Sequence, residues 1–443
     1  MIPNLRVNRI VGLLALCSLA ASALAADTPT SLAAQAAARW VSSTAISTSD
    51  GATWPADPND PKSVNYTLYA GTPGPVLFLL EAYRYTGNRY FLAKARAGAD
   101  ALAASLPKEE GTGLYEGVAG IGFTLGEAWL VTHDRKYRDA ALTSVQLLEQ
   151  RAYKAGYGVE WSDVTDIIGG SSGTGLFLLW AARELKAPGA RDLAVATGKR
   201  LIELGQDQGG NKRKWMMDSK FPREMPNFSH GTAGVSYFLA TLYQQTHDQA
   251  FLDAALAGAN YLISIADVDR DACIIYHDNQ NKQLYYLSWC HGPAGLARLF
   301  YRLYQVTGDS RWMDWTRKAA RGVVAGGAPE KVVSPGEWNN ISACCGTTGQ
   351  AQFFLDMYQL THQPQYKELA QKSTDLLLKK MTSDDHGARW VQAETRIKPD
   401  ELAAQTGLMQ GAAGVGLWLL HYDAYMRGKR EPVITLPDNP FEY

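Results

Sequence analysis

The sequence predicts an all-α chain built as an α/α toroid: a double ring of about seven helical hairpins with short β-strands or loops on one rim. Three observations predict it. A Gly-x-x-Gly pair occurs seven times, and each opens an apolar stretch of helical period. Five of those stretches end at the same distance, in a threonine followed by glycine or histidine. A second amphipathic stretch then follows, as expected for the other arm of a hairpin.

The pairs begin at Gly71, Gly117, Gly170, Gly231, Gly292, Gly346 and Gly411, so successive starts lie 46, 53, 61, 61, 54 and 65 residues apart. That spacing recurs too often for chance and is too loose for a tight solenoid. Thr86, Thr132, Thr246, Thr307 and Thr361 stand twelve residues after the second glycine. The residue after each is Gly87, His133, His247, Gly308 or His362, which suits a left-handed cap that stops the helix. Three of the eight histidines are thereby assigned to helix ends. Stretches such as "RYFLAKARAGADALAAS" and "SRWMDWTRKAARGVV" supply the second helices. Seven hairpins that bury their more apolar helices together close into a ring of about fourteen helices. All seven glycine turns then lie at one end, around one central cavity.

The inserts lie before the glycine turns. "GQDQGGNKRKWMMDSKFPREMPN", with Lys212, Arg213 and Lys214, could grip a peptide but reads first as a solvated loop, as charge runs usually are. "ARWVQAETRI" and "CIIYHDNQNKQLYYLSW" alternate enough to form short strands on the same rim. No low-complexity linker interrupts the chain, so residues 26–443 are expected to form one domain.

Composition narrows the partners. With 443 residues, 46% of them hydrophobic, the chain can bury a large core. Its 43 basic and 44 acidic residues leave no electrostatic footprint for nucleic acid or an anionic membrane. Small molecules and peptides remain, and a small thiol or electrophile fits that class. Residues 1–25 place Arg6 and Arg9 before an apolar run and end in Ala23-Leu24-Ala25, the pattern of a secretory signal peptide cut after Ala25. The run is too short for a permanent membrane span. The mature chain is therefore expected to be exported, periplasmic or secreted. Cys17 fits a lipoprotein site poorly, because the bulky Leu16 precedes it.

The residues directly before the seven first glycines are Ala70, Glu116, Gly169, His230, His291, Cys345 and Gln410. One place further back stand Ser229, Cys290 and Cys344. Three of the four remaining cysteines thus share one predicted ring, and Cys273 falls outside it as a buried thiol. Zinc prefers thiolate and imidazole ligands, and a catalytic zinc keeps three protein ligands with one open position. Cys290, Cys344 and Cys345 supply three thiolates, with His291 a competing ligand. Helix N-termini also favour the thiolate form. An exported chain could instead join Cys290 to Cys344, or Cys344 to Cys345, in a disulfide, or simply bury the thiols. A Cys-His nucleophile is the poorer reading, since no orienting Asn or Asp motif adjoins the pair.

"SHGTAG", "WCHGPAG" and "CCGTTG", in that order on a chain of seven hairpins, resemble the lanthionine synthetase C (LanC)-like family over nearly the whole mature chain. The resemblance implies the α/α toroid and a Zn2+ ion held by Cys290, Cys344 and Cys345. Many members carry Cys-His at the last pair, so this chain is similar to the subgroup with three cysteines. His291 then takes the place after the first ligand, as a neighbour of the metal site. His230 matches the histidine implicated in proton transfer, and Asp166 in "DIIGG" matches the aspartate before the third glycine turn. Tyr286 stands where peptide cyclases of the family often carry arginine, and an export signal is unusual among them.

The resemblance implies addition of a cysteine thiol to a dehydrated residue, giving a thioether. Toroids also host glycosidases and lyases, whose chemistry needs two carboxylates about 5 to 10 Å apart. Glu116, Glu160, Asp163 and Asp166 are the rim candidates for that alternative. A non-catalytic periplasmic zinc-containing binding protein is the third reading.

Overall fold

The computed structural model describes residues 27–221, 223–278, 281, 283–331, 338–429 and 434–441. The expected signal peptide lies outside them. Seven helices form the inner layer: α2 (Pro73–Thr86), α4 (Val118–Thr132), α6 (Ser171–Glu184), α8 (Thr232–Thr246), α10 (Pro293–Thr307), α12 (Thr347–Thr361) and α14 (Ala412–Met426). Seven more wrap around them: α1 (Pro29–Ser43), α3 (Arg89–Ser105), α5 (Arg135–Arg151), α7 (Ala190–Leu204), α9 (Gln249–Ile265), α11 (Ser310–Ala325) and α13 (Pro364–Lys380). The layering follows from composition. Residues 118–128 of α4 are buried without interruption, whereas α3 buries only a stripe that includes Phe91, Ala95, Ala99 and Leu102. A helix apolar on every side belongs inside, and one with a single apolar stripe belongs on the surface.

Six hairpins run inner helix to outer helix in sequence order, and the seventh does not. The last inner helix, α14, packs against α1, which closes the ring from the other end of the chain. Thr28 and Thr30 at the start of α1 donate to Asp423 of α14, the Thr30 bond measuring 2.9 Å. A reading that expects an outer helix after every glycine repeat misses this partner, because α1 precedes the first glycine turn.

The cap prediction holds in all five repeats that contain it. Gly87, His133, His247, Gly308 and His362 adopt φ values of 71°, 55°, 58°, 68° and 54°. Each preceding threonine donates its hydroxyl to the carbonyl four residues back. The next residue begins the outer helix: Asn88, Asp134, Asp248 and Asp309 accept from the backbone two positions on.

Short antiparallel hairpins fill the rim at the glycine end, five of them directly after outer helices: β1–β2 (residues 46–53), β3–β4 (153–160), β5–β6 (206–214), β7–β8 (267–274) and β9–β10 (382–389). Four are followed by a tryptophan whose indole N–H turns back onto the outer helix. Trp54, Trp161, Trp215 and Trp390 donate to the carbonyls of Val41, Leu148, Leu201 and Leu377 at 2.6, 2.7, 2.6 and 2.7 Å. Each indole ties the strand hairpin back to a carbonyl in the last turns of its outer helix. This corrects the solvated-loop reading of residues 205–227: Arg213 and Lys214 form β6, Trp215 is fully buried, and Lys214 pairs with the buried Glu224 at 3.0 Å. Of the two other inserts, "ARWVQAETRI" forms β10 and β11 (Gln392–Ala393), which pairs with β12 (Leu402–Ala403). Among its described residues, "CIIYHDNQNKQLYYLSW" contributes strand only at Cys273 and Ile274.

At the glycine end the turns are joined by a closed circle of backbone hydrogen bonds. Tyr69 N–H donates to Tyr115, Tyr115 to Ile168, Ile167 to Ser229, Ser229 to Cys290, Cys290 to Cys344, Cys344 to Met409 and Met409 back to Tyr69, at 2.9 to 3.2 Å. At the opposite end residues 434–441 enter the bore. Asp438 is fully buried there and accepts from Trp289 Nε1 at 2.9 Å and the Tyr115 hydroxyl at 3.2 Å, with Arg298 at 3.4 Å. No helix among the described residues is long and apolar enough to cross a membrane.

Candidate metal centre

Two of the three clustered cysteines belong to the backbone circle, and the third follows directly. Cys290 and Cys344 occupy neighbouring places in it, so the N–H of one reaches the carbonyl of the other at 3.2 Å. Cys345 sits next to Cys344 at the start of α12. Glycine is required at these turns by space rather than by backbone angle. Gly231 has an extended φ of −157°, yet a β-carbon there would lie 1.6 Å from the Met225 carbonyl oxygen. At Gly346 the same atom would lie 2.3 Å from the Asn340 carbonyl oxygen.

The Sγ atoms of Cys290 and Cys345 are 3.0 Å apart, and those of Cys345 and Cys344 3.1 Å apart. A disulfide needs about 2.05 Å, and all three thiols are free and buried. Their sulfurs lie close enough to share one metal ion. Charge is unevenly spread over the three. Burial works against a Cys344 thiolate, but hydrogen bonds from Cys290, Cys345 and Tyr69 outweigh it and hold its pKa well below the usual thiol range. Burial pushes Cys290 up, and the hydrogen bonds to Cys290 and Cys344 push Cys345 up, so the negative charge settles on Cys344.

Tyr69 was not among the sequence candidates. Its hydroxyl donates to Cys344 Sγ at 3.2 Å and accepts from Gln410 Nε2 at 2.8 Å. Burial and then the Cys344 charge raise its pKa well above 10, which keeps it a donor. The missed signal is positional: Tyr69 stands two residues before its glycine, in the slot that holds Ser229, Cys290 and Cys344 in other repeats.

His230 lines the same cavity and is held by Asp166, with Nδ1 to Oδ2 at 2.7 Å. Asp166 is fixed in turn by the N–H groups of Gly169 and Gly170, both at 2.9 Å. The aspartate side chain is 3% exposed and the imidazole 27%. Burial alone lowers the His230 pKa; the Asp166 hydrogen bond and charge outweigh it and hold the group above 6.5. His291 behaves oppositely. Burial, then the neighbouring charges of His277 and His230, take it well below 6.5 and keep the ring neutral. Its ring lies 4.1 Å from that of His277 and 5.6 Å from that of Tyr286.

Tyr286, where the resemblance leads one to expect arginine, presents its hydroxyl to the guanidinium of Arg396. The cation therefore reaches this wall from another loop, the one between β11 and β12. The cavity that joins these groups has a volume of about 420 Å³ and is also lined by Glu116, Trp338 and Gln410. Burial and the Asp166 charge raise the Glu116 pKa. The other two rim carboxylates face elsewhere: Glu160 pairs with Arg200 at 2.6 Å, and Asp163 accepts from Ser219 on an exposed turn. Cys273 lies in β8, away from the cluster, and burial raises its thiol to about 12.

Comparison with known proteins gives a consistent picture. The lanthionine synthetase C-like protein family matches residues 62–429. Among solved structures, nisin cyclase is similar with a TM-score of 0.62 at 16% identity, over 81% of this chain and 89% of that one. The GH76A alpha-1,6-mannanase from Salegentibacter sp. HEL1_6 aligns with a TM-score of 0.48 at 15% identity, over 89% of this chain and 99% of that one. An unsaturated glucuronyl hydrolase specific for heparin gives 0.47 at 14% identity, over 91% and 99% of the two chains. The first likeness supports the shared fold, and the other two are too distant to carry an argument. A family match over most of its length, on a closed double ring with cysteines at the fifth and sixth turns, makes this chain a member of the lanthionine synthetase C-like family.

Proposed function

We propose that this protein is an exported zinc enzyme that adds a cysteine thiol to a dehydrated residue of a peptide, forming a thioether. The observation that supports it most directly is the convergence of three free thiols and a His–Asp pair on one cavity. The donor set fits zinc. Three sulfurs from Cys290, Cys344 and Cys345 leave one position open, the arrangement of a catalytic rather than a structural site. When bound, the ion lowers the pKa of a coordinated thiol so that the thiolate forms near neutral pH.

The chain's own residues supply the rest. Tyr69 holds Cys344 by its sulfur, and Gln410 holds Tyr69. Asp166 occupies Nδ1 of His230 and leaves the other ring nitrogen for the cavity. As the sulfur bonds to the β-carbon of the alkene, the π electrons move to the adjacent carbonyl oxygen. His230, whose proton affinity Asp166 raises, delivers a proton to the α-carbon and restores the carbonyl. His291, neutral and packed against Tyr286, fixes the wall and takes no part in the proton transfer.

The test is metal analysis of the reduced mature protein beside the Cys344→Ser/Cys345→Ser variant, followed by thiol addition to dehydrated peptides. One equivalent of zinc that disappears in the variant, with activity that follows it, supports the proposal. Zinc without activity over a broad peptide set leaves the non-catalytic binder. Glu116, raised by burial beside Asp166, favours carbohydrate cleavage as the second reading. It predicts glycosidase or lyase activity that survives both chelation and loss of the cysteines.

A further inference from the structure

The loop between β11 and β12 places Thr395, Arg396 and Ile397 on the cavity wall. Among the described residues lining this cavity, Arg396 is the only lysine or arginine. It makes no ion pair with a carboxylate among the described residues. Its guanidinium meets the neutral hydroxyl of Tyr286, and its Nε–H is buried without a protein partner. Glu394, two residues before it, is engaged instead with Gln405 at 2.7 Å.

A guanidinium has five donors arranged as a planar fork that matches a carboxylate edge to edge. Burying one of them unpaired costs free energy that a ligand can recover. The other inward-facing charges do not fill this role: Glu116 lies near Asp166, and His230 is already paired. Tyr286 feels the charges of Cys290 and Cys345, so the fork stands on the wall beside the sulfur cluster rather than at a remote rim.

We propose that Arg396, with the Tyr286 hydroxyl, forms a carboxylate subsite beside the cysteine cluster. The substrate class is therefore a thiol with a carboxylate close by, whether a peptide ending at or next to its cysteine or a small mercaptocarboxylate. The thiol half of this statement rests on the proposed zinc function, and the carboxylate half does not.

Calorimetric titration of the zinc-loaded full chain separates them. N-acetylcysteine, mercaptoacetate, N-acetylcysteinamide and N-acetylalanine present the carboxylate and the thiol together or singly. N-acetylcysteine is expected to bind at least about tenfold more tightly than its amide, the scale of a charge-assisted hydrogen bond. Arg396→Gln abolishes that preference while zinc content and thermal midpoint stay unchanged, and Arg396→Lys restores part of it. A preference for N-acetylcysteine over mercaptoacetate indicates a peptide source, and the reverse a small molecule. Binding of N-acetylalanine with no gain from the thiol keeps the subsite and removes the zinc-thiol reading. Equal binding of acid and amide, survival of the preference in Arg396→Gln, or no binding of any carboxylate overturns the subsite.

Discussion

Trp289 Nε1 donates to Asp438 Oδ2 at 2.9 Å, so the residue next to Cys290 is held from beneath by the chain's C-terminal segment. The same carboxylate takes the Tyr115 hydroxyl and faces Arg298, all within the bore. Asp438→Ala takes the carboxylate from a buried guanidinium, which keeps only its bond to the carbonyl of residue 438, and leaves two buried donors unpaired. The expected loss is about 3 to 5 kcal/mol, the range for breaking a buried ion pair from one side. Urea unfolding measures it. Asp438→Asn keeps an acceptor and should lose less; equal loss in the two variants would sink the account.

Glu127 lies on α4 beside Glu81 and Arg84 of α2, and burial pushes it up to about 8 from an ordinary 4.5. The folded state therefore holds a proton that the unfolded chain releases between those values. Stability from this group is complete below about pH 4.5 and declines by about 1.4 kcal/mol per unit until the pH passes 8. Glu127→Gln removes that slope. Urea midpoints at several pH values between 5 and 9 give the comparison, and an unchanged slope in the variant would falsify the assignment.

Asp166→Asn should lower the His230 pKa, because burial then acts with less opposition. An NMR titration of the imidazole carbon-bound protons reads this without reference to catalysis. If the proposed proton transfer is correct, thiol addition falls about 10²- to 10⁴-fold in the same variant. A His230 pKa that does not move would show that Asp166 has no electrostatic hold on it.

Two glycine substitutions distinguish space from backbone angle. Gly231→Ala drives a β-carbon into the Met225 carbonyl and is expected to cost about 1 to 3 kcal/mol or more through forced repacking. Gly308→Ala meets open space at φ 68° and should cost only about 1 kcal/mol, the strain of a left-handed alanine. Thermal unfolding of both variants settles the order, and a larger loss at Gly308 contradicts it.

Most of the ring was legible because its signals repeat. The glycine pairs, the threonine caps and the shared slot of Ser229, Cys290 and Cys344 are local patterns that recur along the chain. The features missed depend on single long-range encounters. Nothing in the sequence near Asp438 announces Trp289, and nothing near Arg396 announces Tyr286. Tyr69 is intermediate, since the slot identifies it once every repeat is read two places before its glycine. Trp54, Trp161, Trp215 and Trp390 return to helix ends 13 or 14 residues earlier, a distance at which no helical or strand period operates.

The pairing of α1 with α14 has a consequence for how the protein is made. The Thr30–Asp423 bond spans 393 residues, so the toroid cannot be sealed until its final helix has left the ribosome. Before that seam forms, α1 and α14 each lack the helix they pack against. Contacts of such sequence separation slow folding and prolong exposure to aggregation. Joining α1 to α14 is thus a closure that needs both ends of the ring at once.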